Sequence, residues 1–411
     1  MVDRKVLNNI VWLMLDKIFI YPSLLFSNII VAKYFGVEEY GVFTVAQSTL
    51  AIIIPFVSLG FPALIPKYIA NGQVNLIKKI EKTLYSLAFF VISVFLVLYL
   101  NDRNLIYFLI CSLICIFQLE FIYKSILAND SKSKYESWIT VITSLVALLA
   151  RYVISENDAG FIPMALTFPL EMFLRSYLLR FVSYKLIEVG VDKYIFKNEL
   201  KKALPLVLSS ISVVVYMKSD VLIVNYLLGP ESAGVYSVAV KLSEIWLFIA
   251  VAIVSSCNNI LFKAYCNYKL YLTMLSKILF ILNIFALLIT CSLFVTSDFI
   301  VEVLYGDEFK SAASLLVIYA ITIIFVFHNN LSWNYFIASG NQVIVSYKLM
   351  LGAVVNIILN FSLIPIVGIE GAAWASVLSY LLSSFVMNFF FKGARDLFFS
   401  QCKSIVFWRV F

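Results

Sequence analysis

Long apolar runs, separated by short clusters of charged, Gly, Pro and Asn residues, set the pattern of the chain almost end to end. Cutting at these clusters predicts twelve helical spans: 8–33, 40–66, 82–100, 104–128, 136–154, 161–187, 203–228, 233–262, 271–296, 313–338, 345–366 and 371–392. These lengths approach or exceed the roughly 20 residues that a helix needs to cross a hydrocarbon core. Stretches such as SLAFFVISVFLVLYL (Ser86–Leu100) do not alternate apolar with polar positions, which argues against a transmembrane barrel. The first apolar segment runs too long for a cleavable signal and lacks a small-residue cleavage site, so it is expected to stay as the first span. Connectors are short, the two longest being Ser183–Lys202 and Ser297–Ala312. The expected fold class is an all-α polytopic membrane protein.

Composition sharpens this reading. Apolar residues make up 62% of the chain and charged residues 13%, which leaves no room for a soluble domain. Basic residues fall unevenly on alternate flanks, 21 on one side against only Lys33, Arg103, Arg151 and Lys310 on the other. Because cytoplasmic loops retain Lys and Arg, both termini are expected in the cytoplasm and the number of spans is expected to be even. The net charge of +7 then needs no nucleic acid partner. The six cysteines read as packing residues; Cys111 and Cys115 share a helix face but lack His or carboxylate neighbours, so no metal site is expected.

A repeat organises the spans. KYFGVEEYGVFTVA (33–46) returns as YLLGPESAGVYSVA (226–239), with Gly36, Glu38, Gly41, Val42, Val45 and Ala46 matching Gly229, Glu231, Gly234, Val235, Val238 and Ala239 at an offset of 193. Both copies occupy the outer loop between the first and second span of a six-span half. Six is even, so both halves enter the membrane in the same direction, implying a pseudo-two-fold axis along its normal. The expected division is a six-helix lobe over 1–190, a cytoplasmic linker over 191–202, a second six-helix lobe over 203–392 and a cytoplasmic tail over 393–411.

Catalytic signatures are absent: there is no phosphate-binding loop, no GxSxG, and a single histidine, His328. No enzyme activity and no cofactor are expected, and energy must come from a gradient or from the substrate. Ionisable residues inside spans are costly against lipid and should face a partner or a watery cavity. They are Asp16 and Lys17, Glu120 and Lys124, Glu171 and Arg175, Lys218 and Asp220, Lys241 and Glu244, and His328. Glu120 with Lys124, and Glu171 with Arg175, have the i, i+4 spacing of helix-face pairs. Counted from the turn near Glu231, Asp220 and Lys241 lie at a common depth of about 15 Å, and Lys218 and Glu244 are likewise level. These groups read equally as structural ion pairs or as the lining of a pathway. FHNNLSWNYF sets His328, Asn329, Asn330, Trp333, Asn334 and Tyr335 at membrane depth, where amides beside aromatic rings suit sugars but also suit helix–helix bonding. Asn356 and Asn360 carry the same two readings. Pro22, Pro55, Pro62, Pro169 and Pro205 fall inside expected spans and permit kinks.

NNIVWLMLDK, FGVEEYGVFTVAQS, SDVLIVNYLLGPESAGVYSVAVKLSEIWLFI and LIPIVGIEGAAWASVLSY together resemble the Wzx family of O-antigen flippases, within the larger group of polysaccharide and multidrug exporters. The resemblance implies a MATE-like fold of two pseudo-symmetric lobes. It also implies alternating-access transfer of an undecaprenyl-pyrophosphate-linked oligosaccharide from the inner to the outer face of the bacterial cytoplasmic membrane. Implied partners are that lipid-linked substrate, membrane lipids, H⁺ or Na⁺, and other glycan-assembly membrane proteins. On this reading Lys17, Arg175, Lys218 and Lys241 attract the headgroup, and Asp16, Glu171, Asp220 and Glu244 couple ions or complete salt bridges. His328, Asn329, Asn330, Trp333 and Asn334 contact glycan. The first half places Ser27 and Ser48 where the second has Asp220 and Lys241, so the site does not transfer between halves. A cation antiporter of the same fold is the alternative, expected to need an acidic cavity. A membrane glycosyltransferase, polymerase or ligase would need a larger loop than the outer one of about 16 residues available here.

Overall fold

The computed structural model describes the backbone of residues 4–184 and 196–405, with side chains from Phe19 onward except at 74, 103, 184, 196, 197, 259 and 342. The described residues are overwhelmingly helical and include no strand. They form two compact units, residues 1–36 with 42–214 and residues 37–41 with 215–411.

The first unit opens on α1 (Arg4–Ser58), a 55-residue helix broken at Gly36, where φ 72° and ψ 175° suit only glycine. An unbroken helix of that length would run about 80 Å, far beyond one crossing. The chain then turns through Leu59 (φ 48°) and Gly60 (φ 71°) into a 3₁₀ turn, Phe61–Ala63, and α2 (Ile65–Ala70). The second expected span, 40–66, therefore ends at Ser58, because two left-handed residues followed by Pro62 cannot continue an α-helix. α3 (Val74–Asn101) follows, and the fourth span is assembled from α4 (Ile106–Ser112), α5 (Ile114–Phe117) and α6 (Glu120–Asn129). α7 (Ser133–Glu156), α8 (Phe161–Tyr184) and the first half of α9 (Phe196–Leu228) complete the unit. One core cluster joins Phe61, Ile65, Ile80, Leu84, Ile122 and Leu127. The Tyr68 hydroxyl donates to Glu199 (2.7 Å) and that of Tyr123 to Glu81 (2.6 Å).

The second unit takes the rest of α9, then α10 (Pro230–Glu244), α11 (Leu247–Ala264) and α12 (Tyr268–Tyr305). The connector expected over Ser297–Ala312 is helical as far as Tyr305, which lengthens α12 to 38 residues. α13 (Ala312–Ala320) and α14 (Thr322–Ala338) meet at a 42° bend. α15 (Gln342–Val367), α16 (Glu370–Leu381), a π turn at Leu382–Val386, α17 (Met387–Phe390) and α18 (Arg395–Ile405) close the unit.

Residues 37–41 belong to this second unit and explain the repeat. A Cβ on Gly41 would stand 1.8 Å from the Pro230 carbonyl oxygen, and one on Gly234 would stand 2.4 Å from that of Val37. The two glycines let the backbones cross in direct contact, each fitting the other's turn. Gly229 repeats the break of Gly36, with φ 87° and ψ 174°.

Among the described residues nine helices are long and apolar enough to cross a membrane, ten with the bent α13–α14 pair, against twelve expected. α1 covers two of the expected segments on either side of Gly36, and α8, which carries Glu171, Arg175 and Arg180, is not among the nine. Outward faces are strongly apolar, with Phe90 67% and Val295 80% exposed. Such surface is stable against lipid and not against water, so the chain is a multi-pass membrane protein.

Candidate functional site

Polar side chains buried among apolar helices must find partners on neighbouring helices, and both units hold such assemblies at membrane depth. In the first unit the assembly is a chain of charges. Lys124 pairs with Glu120 one turn earlier on α6 (2.9 Å), and Glu120 also accepts from Arg175 of α8 (2.6 Å). Arg175 approaches Glu171 at 3.7 Å, and Glu171 accepts from Arg151 of α7 at 2.8 Å. The Arg151 fork also donates to Ser27 (2.7 Å) and Thr167 (2.9 Å), with its guanidinium 4.0 Å from the Phe168 ring centre. Side-chain exposure falls along the chain, from 29% at Lys124 through 14% at Arg175 to 1% at Arg151. The Arg151 end is thus a sealed structural anchor, while the Lys124 and Arg175 end is partly exposed.

In the second unit, Lys218 of α9 meets Glu244 of α10 at 3.6 Å, both close to 30% exposed, as their common depth predicts. Asp220 and Lys241 share a depth too, yet they turn to other groups. Lys241 donates to the Tyr40 hydroxyl (3.0 Å) and lies over that ring. Asp220, 3% exposed, accepts from Tyr236 (3.0 Å), Asn360 (2.7 Å) and Ser376. Ser219 donates to the Asn356 amide oxygen (3.0 Å), and Asn360 also donates to Asn356 (3.2 Å). The buried Oδ1 of Asn360 has no hydrogen-bond partner among the described residues. A carboxylate, amides and hydroxyls on α9, α10, α15 and α16 thus form one buried, hydrogen-bonded cluster around Asp220.

His328 belongs to a third, sealed assembly rather than to an open face. Its ring nitrogens face Asn283 of α12 (2.6 Å) and Gln401 of α18 (3.4 Å). Gln401 accepts from Asn388 (2.9 Å), whose amide oxygen in turn accepts from Lys348. The π turn frees the Ser384 carbonyl to take both Asn388 and Gln401. Asn334 bonds Asn258 (2.6 Å), Asn330 caps the Val326 carbonyl (3.0 Å), Asn329 is half-buried, and Trp333 is exposed. The FHNNLSWNYF residues are therefore spread around α14. Asp16 and Lys17 lie on α1, their side chains outside the described residues.

Two residues counted as flanking charges are in fact interior. Arg151, placed at an outer flank by the charge count, is the largest fully buried side chain among the described residues, and Lys348, placed at an inner one, is 2% exposed. A signal for Arg151 was present: Ser137, Thr140, Ser144, Ala147 and Arg151 are buried along one α7 face, a small and polar stripe at helical spacing.

The profile of a family described as polysaccharide biosynthesis protein matches residues 6–257. The chain belongs to that family. Among curated proteins none matches it significantly. Of solved structures, the chain resembles the lipid II flippase MurJ in an inward closed conformation, at 17% identity and TM-score 0.66, covering 97% of this chain and 91% of that one. It resembles a MOP superfamily transporter from Pyrococcus furiosus at 11% identity and TM-score 0.66, covering 98% and 96%. The Vibrio cholerae MATE transporter VcmN matches at 14% identity and TM-score 0.63, covering 98% and 97%. At these identities the likeness establishes the fold, which is the MATE-like fold of these transporters and of a flippase. The family match together with this fold bears out the exporter-family resemblance read from the sequence.

Proposed function

We propose that this family member is a flippase for an undecaprenyl-pyrophosphate-linked oligosaccharide, an O-antigen or similar surface-glycan repeat unit. It moves the substrate from the cytoplasmic to the outer leaflet of the bacterial cytoplasmic membrane by alternating access, with termini and the 191–202 linker in the cytoplasm. The observation that carries this reading is an excess of positive charge in the first unit, where Lys124, Arg175 and Arg151 stand against Glu120 and Glu171; in the second, Lys218 and Lys241 balance Glu244 and Asp220. An anionic pyrophosphate suits the first arrangement better than an organic cation does. Arg175, Lys218, Lys241 and Lys17 hold the headgroup on this account, Glu171, Glu244 and Asp16 trim its attraction, and Asn329 and Asn330 meet sugar hydroxyls. In proteoliposomes, neutral replacement of the four basic residues is expected to abolish flipping at unchanged expression; intact flipping would overturn the assignment.

Asp220 is the proposed coupling site. Its carboxylate, the Asn360 Oδ1 that has no partner among the described residues and the hydroxyl oxygens of Tyr236 and Ser376 suit Na⁺, and a protonated carboxyl would serve H⁺ instead. Asp220→Asn is expected to leave the fold intact and to remove dependence of transport on an imposed ion gradient; a variant that still responds to the gradient excludes Asp220. The same carboxylate is what favours a cation antiporter as the second reading. Gradient-driven efflux of an organic cation, without lipid-linked oligosaccharide transfer, would decide for it.

A further inference from the structure

α18 and the start of α12 enclose a cleft of about 470 Å³ that none of the transport chemistry uses. Lys269 and Lys403 line it from opposite helices, with Thr273, the buried Ser276 and Ser400, and Phe399, which is 51% exposed. Asp396 also lines it, and its carboxylate accepts from the Tyr268 hydroxyl. The two lysines have no carboxylate within 4 Å among the described residues, so the cleft carries an excess positive charge.

Its depth in the membrane is marked by aromatics. Tyr265, Tyr268 and Tyr271 cluster at the α12 terminus with ring centres 5.0–6.1 Å apart. Tyrosines gather where hydrocarbon meets headgroups. α18 has the character of an interfacial helix: Leu397, Ser400, Gln401 and Ser404 are buried, while Phe399, Lys403 and Ile405 are exposed. Its wall is fixed in advance, since Gln401 and Ser404 are tied to His328 and Asn283.

We propose that this cleft binds an anionic phospholipid, its phosphate between Lys269 and Lys403 and its chains along Phe399 and Leu272. Lysine ammonium groups at headgroup level attract lipid phosphate, and an exposed aromatic beside them suits the acyl chains. The lipid then bridges α12 and α18.

The test is native mass spectrometry of the detergent-purified full chain mixed with phosphatidylglycerol or phosphatidylcholine. Wild type is expected to retain phosphatidylglycerol preferentially. Lys269→Gln/Lys403→Gln, changing two exposed side chains, should lower that retention by about 10- to 30-fold. Lys78→Gln/Lys82→Gln, a surface pair elsewhere, should not. Equal retention by the Lys269/Lys403 variant and wild type would overturn the proposal, as would equal retention of phosphatidylcholine. Displacement of the lipid by an equal concentration of glycerol 1-phosphate would instead reveal a site for free phosphate, and would also overturn it.

Discussion

Arg151 shows how one buried side chain can hold several helices. Its fork reaches Ser27, Thr167 and Glu171 at once, which ties α1, α7 and α8 through a single planar cation. Arg151→Met leaves Glu171 a buried carboxylate without its closest cation and is expected to cost about 3–5 kcal/mol. Arg151→Lys should rescue only in part, because an ammonium lacks the planar fork that reaches all three partners. Thermal unfolding in detergent checks both, and a variant as stable as wild type contradicts the anchor role. By contrast, Lys124→Gln at the exposed end should cost under about 1 kcal/mol. The i, i+4 pairs of α6 and α8 were legible because helical spacing alone brings their members together. Glu120 with Arg175 was not, because the meeting of two helices is a matter of packing, and sequence spacing is silent on it.

At the scale of elements, glycine and proline decide where helices stop and where they touch. Gly36→Ala forces a side chain into φ 72°, ψ 175°, and Gly41→Ala drives a methyl into the Pro230 carbonyl. Each is expected to destabilise by about 1–3 kcal/mol. Gly41→Ala combined with Gly234→Ala should depart from additivity, since the two meet the same crossing. A double-mutant cycle on unfolding measures this, and strict additivity would show that the crossing is loose. The repeat located these glycines in the sequence, but a matching pattern does not say that its copies pack together. Prolines were less informative. Pro22, Pro55, Pro169 and Pro205 are accommodated within helices, and Pro62 lies in the 3₁₀ turn that follows one.

At the scale of the whole molecule, the membrane imposes the strongest constraint, for every buried backbone group must be satisfied within helices. The charge asymmetry makes a topological prediction. In a cysteine-free background, Glu231→Cys should react with an impermeant thiol reagent added outside intact cells, and Ser131→Cys should react only after lysis. The reverse pattern would invert the orientation. Apolar periodicity, basic flanks and the repeat by themselves determined a helical, polytopic chain with a twofold internal pattern, because hydrocarbon leaves few alternatives to a sequence this apolar. They also marked most intramembrane charges, since each is conspicuous against its surroundings. Only the tertiary structure decided which of those charges meet. It sealed Arg151 and Lys348 inside, turned Asp220 toward amides and hydroxyls, and drew His328 into a chain ending on α18. The physical reason is the same in each case. Depth along a helix follows from counting residues, but the facing of one helix toward another depends on kinks, turns and close-packed side chains that no single segment contains.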